Sequence, residues 1–152
     1  MMEVTASGLA AQRFLRSMRP CQLDALAEAA SEVAFPAGHR IFGEGDNADH
    51  FWLIQSGYVV LDLQLPGEGL AIIGKVGIGE LLGCSWLLPP YQWTLGAVCA
   101  TEVKAFEFSA LAIRERCAAD LALRDALTQR LFQVLSGRLM NTKSTLVTRS
   151  MP

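Results

Sequence analysis

Residues 51–61 run Phe51-Trp52-Leu53-Ile54-Gln55-Ser56-Gly57-Tyr58-Val59-Val60-Leu61. Two stretches of aromatic and branched side chains, the residue types that favour strands, meet at Ser56-Gly57, and glycine supplies the positive φ that a tight turn needs. The segment therefore reads as a strand, a turn and a returning strand. The same texture extends outward on both sides, with turns at Pro36-Ala37-Gly38, Gly43-Glu44-Gly45-Asp46, Pro66-Gly67-Glu68-Gly69, Gly77-Ile78-Gly79 and Gly96. These signals recur roughly every ten residues as far as Phe108, and no helix-length crossover lies between them. An antiparallel sandwich or jelly roll over 32–109 follows.

Helical segments flank it. Leu15, Met18, Leu23, Leu26, Ala27 and Ala30 recur at steps of three and four with Pro20 between them, which predicts two short helices within an N-terminal segment, 1–31. Beyond Ser109 the chain turns helical again, over 110–141. From 120 to 140 a long helix carries Leu123, Leu127, Leu131, Val134, Leu135 and Leu139 on one stripe, with Arg124, Arg130 and Arg138 elsewhere. Such a stripe either packs on the chain's own barrel or pairs with a second copy as a coiled-coil-like seam, and the length favours a homodimer. Residues 142–152 are polar and read as a flexible tail. One segment departs from the strand texture. Gly79-Glu80-Leu81-Leu82-Gly83-Cys84-Ser85-Trp86-Leu87-Leu88-Pro89-Pro90 predicts a short helix, a Pro-Pro turn and a return strand from Trp93.

Composition narrows the function. The chain has 152 residues, 13 basic against 15 acidic, a net charge of -2 and a pI near 5.7. A nucleic-acid binder needs basic surface to displace counterions from phosphates, so direct DNA binding is not expected. Every apolar stretch falls short of the ~18 residues a membrane-spanning helix requires, and Glu3 precedes any basic residue, unlike a secretory leader. A cytoplasmic protein is expected. Cys21, Cys84, Cys99 and Cys117 are widely spaced, form no C-x-x-C pair and have only His39 and His50 as companions, so free, mostly buried thiols are expected and no metal site. No nucleophile motif, P-loop or zinc-hydrolase motif is present, and no catalytic residues are assigned.

Three stretches in order resemble the cyclic nucleotide-binding domain family, the regulatory jelly roll of catabolite activator proteins, kinase regulatory subunits and cyclic-nucleotide-gated channels. They are Phe35-Pro36-Ala37-Gly38-His39-Arg40-Ile41-Phe42-Gly43-Glu44-Gly45-Asp46-Asn47-Ala48-Asp49, the 51–61 hairpin, and 79–93, which falls at the family's phosphate-binding cassette. The resemblance implies a mainly β fold, an antiparallel double-stranded β-helix (jelly roll) with N-terminal helices and a long C-terminal helix. It also implies a non-enzymatic sensor with cAMP or cGMP as ligand, no cofactor, a homodimeric state and an unidentified downstream protein partner. The ligand-binding positions it implies are Gly79, Glu80, Leu81, Leu82, Gln92 and Trp93. A helix after Gly79 would offer free N–H groups and a positive dipole end to the phosphate. Glu80 would accept from the ribose 2′-hydroxyl; the competing reading is an acid that stabilises the local dipole. Trp86, Tyr91 and Trp93 either stack on a base or pack in the core, and Thr128 and Ser136 are candidates for a purine edge.

One departure stands out. The family supplies an arginine to the phosphate where this chain has Gln92, and 76–103 contains no Lys, Arg or His. Gln offers neutral donors in place of a charged, bidentate fork. Losing a charged hydrogen bond costs about 1.5–3 kcal/mol and an unpaired buried charge about 3–5 kcal/mol, so affinity for a cyclic nucleotide would fall roughly tenfold to a few thousandfold. Arg40, Lys75 or an arginine of the long helix are the candidates to compensate. The alternative reading is a dimeric interaction scaffold whose pocket is degenerate or holds a less charged ligand. A transcription regulator of this family continues into a helix-turn-helix; only the polar tail follows the long helix here, which points to a stand-alone sensor.

Overall fold

The computed structural model describes residues 4, 8, 9, 12–16, 18–83, 85, 86 and 89–150, the side chains of Arg13 and of 138–150 excepted. Its strands are β1 (Ala30–Phe35), β2 (Arg40–Phe42), β3 (His50–Ser56), β4 (Val59–Leu65), β5 (Gly69–Val76), β6 (Leu81–Leu82), β7 (Gly96–Cys99) and β8 (Val103–Ser109). They form two antiparallel four-stranded sheets, ordered β1-β8-β3-β6 and β2-β7-β4-β5. Sequential strands alternate between the sheets except at β4 and β5, which pair as neighbours in one sheet, and the result is the predicted jelly roll. The 51–61 segment turns at Gly57, with φ +80°, where a Cβ would lie 2.1 Å from the Glu102 carbonyl oxygen, but it is not a paired hairpin: β3 bonds to β6 and β8 of one sheet and β4 to β5 and β7 of the other.

Strand alternation sorts the core into two faces. On β3, Phe51 and Leu53 point one way and Trp52 and Ile54 the other, and all four are buried. Phe51 stacks on Phe108 of β8 at 4.8 Å. Trp52 instead meets Phe42 of the opposite sheet at 5.7 Å, so its face lies between the sheets.

Helices α1 (Pro20–Glu28), α2 (Ala110–Ala119) and α3 (Leu121–Ser150) flank the roll. Pro20 starts α1, where its missing N–H is no loss, and among the described residues before it Gly8 and Leu9 are helical and Arg13–Leu15 form a 3-10 turn. Ser109 caps α2 by accepting from the Ala112 N–H at 3.3 Å. The α3 stripe divides. Leu123, Leu127 and Leu131 are buried in the chain's own core, while Phe132 and Leu135 stay exposed. Arg130 ties this part of α3 to the N-terminal segment, donating to the Arg16 carbonyl at 2.7 Å. The stretch read as a tail, 142–152, continues α3 as far as Ser150. Its residues are polar, but no Gly or Pro between 138 and 150 interrupts the helical hydrogen bonds. Leu139, Arg138 and Cys84 carry expectations that lie outside the described side chains. Among described cysteines, Cys99 and Cys117 are buried, and burial raises both thiols above their ordinary range; Cys21 is exposed.

Candidate functional site

The segment 79–93 is anchored at its start by backbone. Gly79 takes φ +79° and donates to the Ile54 carbonyl at 2.8 Å, while Ile54 N–H donates to the Glu80 carbonyl at 3.2 Å. The Glu80 carboxylate folds back and accepts from the Gly77 N–H at 3.0 Å, closing the turn. The expected short helix is not found among the described residues here. Leu81 and Leu82 form β6, paired with Leu53 and Trp52 of β3, and residues 85, 86, 89 and 90 are turn. A run of two leucines fits strand or helix equally by pattern, and the free edge of β3 decides between them.

Gly83 follows at φ +102°, with a Cβ there only 2.6 Å from Trp93 Cη2. The missing side chain is what admits the Trp93 ring, which stacks on Phe42 at 4.0 Å. Trp86 is fully buried and stacks on Phe51 at 4.0 Å. Both indoles thus serve the core, although the Trp86 Nε1–H has no hydrogen-bond partner. The return of the segment is held by the turn before β3: Ala48 N–H donates to the Tyr91 carbonyl at 2.6 Å, Trp93 N–H to the Asp46 carbonyl and Gly45 N–H to the Trp93 carbonyl, both at 2.8 Å. Gln92 bridges Asn47 across this pairing and is exposed.

Six residues were expected at the ligand. Gly79 and Glu80 form a turn at one end, Leu81 and Leu82 are buried in β6, and Gln92 and Trp93 lie on the return, with only Trp93 reaching across to Gly83. Of the candidate compensating cations, Arg40 is held by Asp62 in a bidentate pair, Nη2–Oδ2 2.8 Å and Nη1–Oδ1 3.2 Å, and this carboxylate holds the guanidinium above its ordinary pKa. The pair fits because the neighbouring position is Gly96, where a Cβ would meet Asp62 Oδ1 at 2.2 Å. Lys75 lies over the Tyr58 ring at 5.4 Å. The cation that does reach the cassette is Arg114 of α2. Its Nη1 donates to the Trp86 carbonyl at 2.6 Å and its guanidinium sits 4.2 Å over the Tyr91 ring. No sequence pattern announces this contact, because helix and cassette are brought together only by the fold. Thr128 is exposed and donates to the Arg124 carbonyl at 2.7 Å.

A family model for the cyclic nucleotide-binding domain matches residues 32–120, more than half of the chain. The chain belongs to that family. It is 28% identical over 138 residues to a CRP-like cAMP-activated global transcriptional regulator of Mycobacterium tuberculosis, an alignment that covers 91% of this chain and 60% of the relative. The chain thus spans about 60% of the length of the curated relatives it matches. A candidate cyclic nucleotide-binding protein from Geobacter metallireducens has a similar structure, with TM-score 0.81, 27% identity and coverage of 91% of this chain and 99% of that one. A cyclic nucleotide-binding domain from Methylobacillus flagellatus shares the fold at TM-score 0.80 and 20% identity, covering 95% of this chain and 81% of that one. Within the family frame, the cassette of this chain combines an uncharged Gln92 with an arginine that arrives from outside it. No described helix is long and apolar enough to cross a membrane.

Proposed function

We propose that this domain is a non-enzymatic cytoplasmic sensor that binds cAMP or cGMP at the 79–93 cassette and passes its occupancy to α3. The observation that carries the reading is the Arg114 side chain, which holds both the Trp86 carbonyl and the Tyr91 ring from α2. Only Asp120 separates α2 from α3, so a ligand that displaces 85–91 pulls directly on the long helix. Binding is weak, since the phosphate meets Gln92 rather than a guanidinium. The exposed Phe132 and Leu135 form the seam of a homodimer, on the face of α3 that its own core leaves free.

The buried packing of Trp86 and Trp93 favours a second reading, a dimeric scaffold whose cassette has closed over its pocket. Thermal-shift and calorimetric titration with cAMP and cGMP separate the two. Ligand at a hundredfold excess over its Kd adds about 2.7 kcal/mol, or roughly 5–11 °C in Tm for a domain of this size. Gln92→Arg is expected to tighten nucleotide binding at least about tenfold. No shift at millimolar nucleotide in either form leaves the scaffold reading standing.

A further inference from the structure

A concavity lies between the β2–β3 turn and strands β3 and β8. Its volume is about 270 Å³ and its wall is the aromatic set Phe42, Trp52 and Trp93. Phe42 links the two indoles, at 5.7 Å from Trp52 and 4.0 Å from Trp93. Its charged lining is Asp46, Asp49 and Glu107, and no Lys or Arg lines it among the described residues. His50, the remaining titratable lining residue, stands 3.9 Å from Glu107 Oε1.

The carboxylates differ in how far they are engaged. Asp46 Oδ2 accepts from the Gly43 N–H at 2.9 Å, and Glu107 Oε2 accepts from the Trp52 indole N–H at 2.9 Å. Asp49 contributes only its backbone carbonyl, to Ala110 N–H. Asp46 and Glu107 therefore each keep one oxygen outside these hydrogen bonds, that of Glu107 facing His50 at 3.9 Å, and the Asp49 carboxylate keeps both, on an aromatic-walled cavity. Three acids repel a phosphate, so a cyclic nucleotide is the wrong ligand here. A bare metal ion does not suit it either, because no set of described His, Cys, Asp and Glu side chains converges closely enough to hold one. The chemistry that fits is a cation whose charge is spread over carbon, which an aromatic wall attracts through its quadrupole and which carboxylates neutralise without tight coordination.

We propose that this cavity is a binding site for a small organic cation of the alkylammonium class, with its head group against the Phe42–Trp52–Trp93 wall and its charge balanced by Asp49 and Glu107. It shares Trp93 with the return of the 79–93 cassette. The test titrates the full chain with choline, and separately with the uncharged isostere in which carbon replaces the quaternary nitrogen, following tryptophan fluorescence and calorimetric heat. Choline is expected to saturate and the isostere to bind at least about tenfold more weakly. Glu107→Gln keeps an oxygen for the Trp52 N–H, and Asp49→Asn leaves the backbone contact intact; each is expected to weaken choline roughly three- to tenfold. Absence of saturation at tens of millimolar choline, equal binding of the isostere, or indifference to both substitutions overturns the assignment.

Discussion

Gly83→Ala puts the packing of the cassette to a direct test. The new methyl would sit 2.6 Å from Trp93 Cη2 and 2.9 Å from Cζ3, at a backbone φ of +102°. The ring cannot retreat freely, because Phe42 stacks on it at 4.0 Å. A side chain at such a φ costs about 1–3 kcal/mol, and forcing a methyl group into a filled core about another 1–3 kcal/mol. The sum, about 2–6 kcal/mol, corresponds at about 2–4 °C per kcal/mol to a drop in Tm of roughly 4–24 °C. Differential scanning calorimetry measures it, and tryptophan emission reports whether Trp93 has moved toward water. The steric part is isolated by repeating the substitution in a Trp93→Phe background, where the six-membered indole edge is gone and only the backbone strain remains. A loss below about 1 kcal/mol in the Trp93 form, or an equal loss in both backgrounds, would refute the claim that Gly83 exists to admit that ring.

Three further outcomes are expected. Arg114→Met keeps the aliphatic stem over Tyr91 but removes the bond to the Trp86 carbonyl, so amide hydrogen exchange across 85–91 should accelerate while β3 and β8 stay protected, at a stability loss of about 1 kcal/mol. Asp62→Ala strands the Arg40 guanidinium beside Gly96; with Arg40 41% exposed, the loss seen by urea unfolding should stay near 1 kcal/mol. Phe132→Asp places a charge on the exposed face of α3 proposed as a homodimer seam; light scattering should show a dimer for the parent chain and a monomer for the variant, with the core intact because Phe132 is exposed.

The parts of this fold legible in the sequence are those set by local chemistry. Gly38, Gly45, Gly57, Gly67, Gly69 and Gly79 all take positive φ in the turns where they were read, since a residue without Cβ is the natural occupant of that conformation. The cassette was harder. Leu81 and Leu82 satisfy helix and strand alike, and only the presence of β3 beside them settles the matter. The α3 stripe announced that its leucines would be buried but not against what, and the roll itself took Leu123, Leu127 and Leu131. Nothing in the sequence around Gly83 marks its role, because its partner is an indole ten residues on, met through tertiary packing.

The placement of charge carries the same lesson into function. Arg40 is bound by Asp62 and Arg114 by the Trp86 carbonyl and the Tyr91 ring, so these two guanidinium groups already satisfy neighbours in the scaffold. Recruiting either to a ligand would cost its present contacts, about 1–3 kcal/mol for a charged hydrogen bond, which offsets much of what a new phosphate contact would return. Gln92→Arg is the substitution that adds a cation without removing one. If it restores tight nucleotide binding, then the cassette backbone is already shaped for phosphate and the charge alone was missing. Were it to leave affinity unchanged, Trp93, seated between Gly83 and Phe42, would be the obstacle, and relief would have to come from the ring and not from the charge.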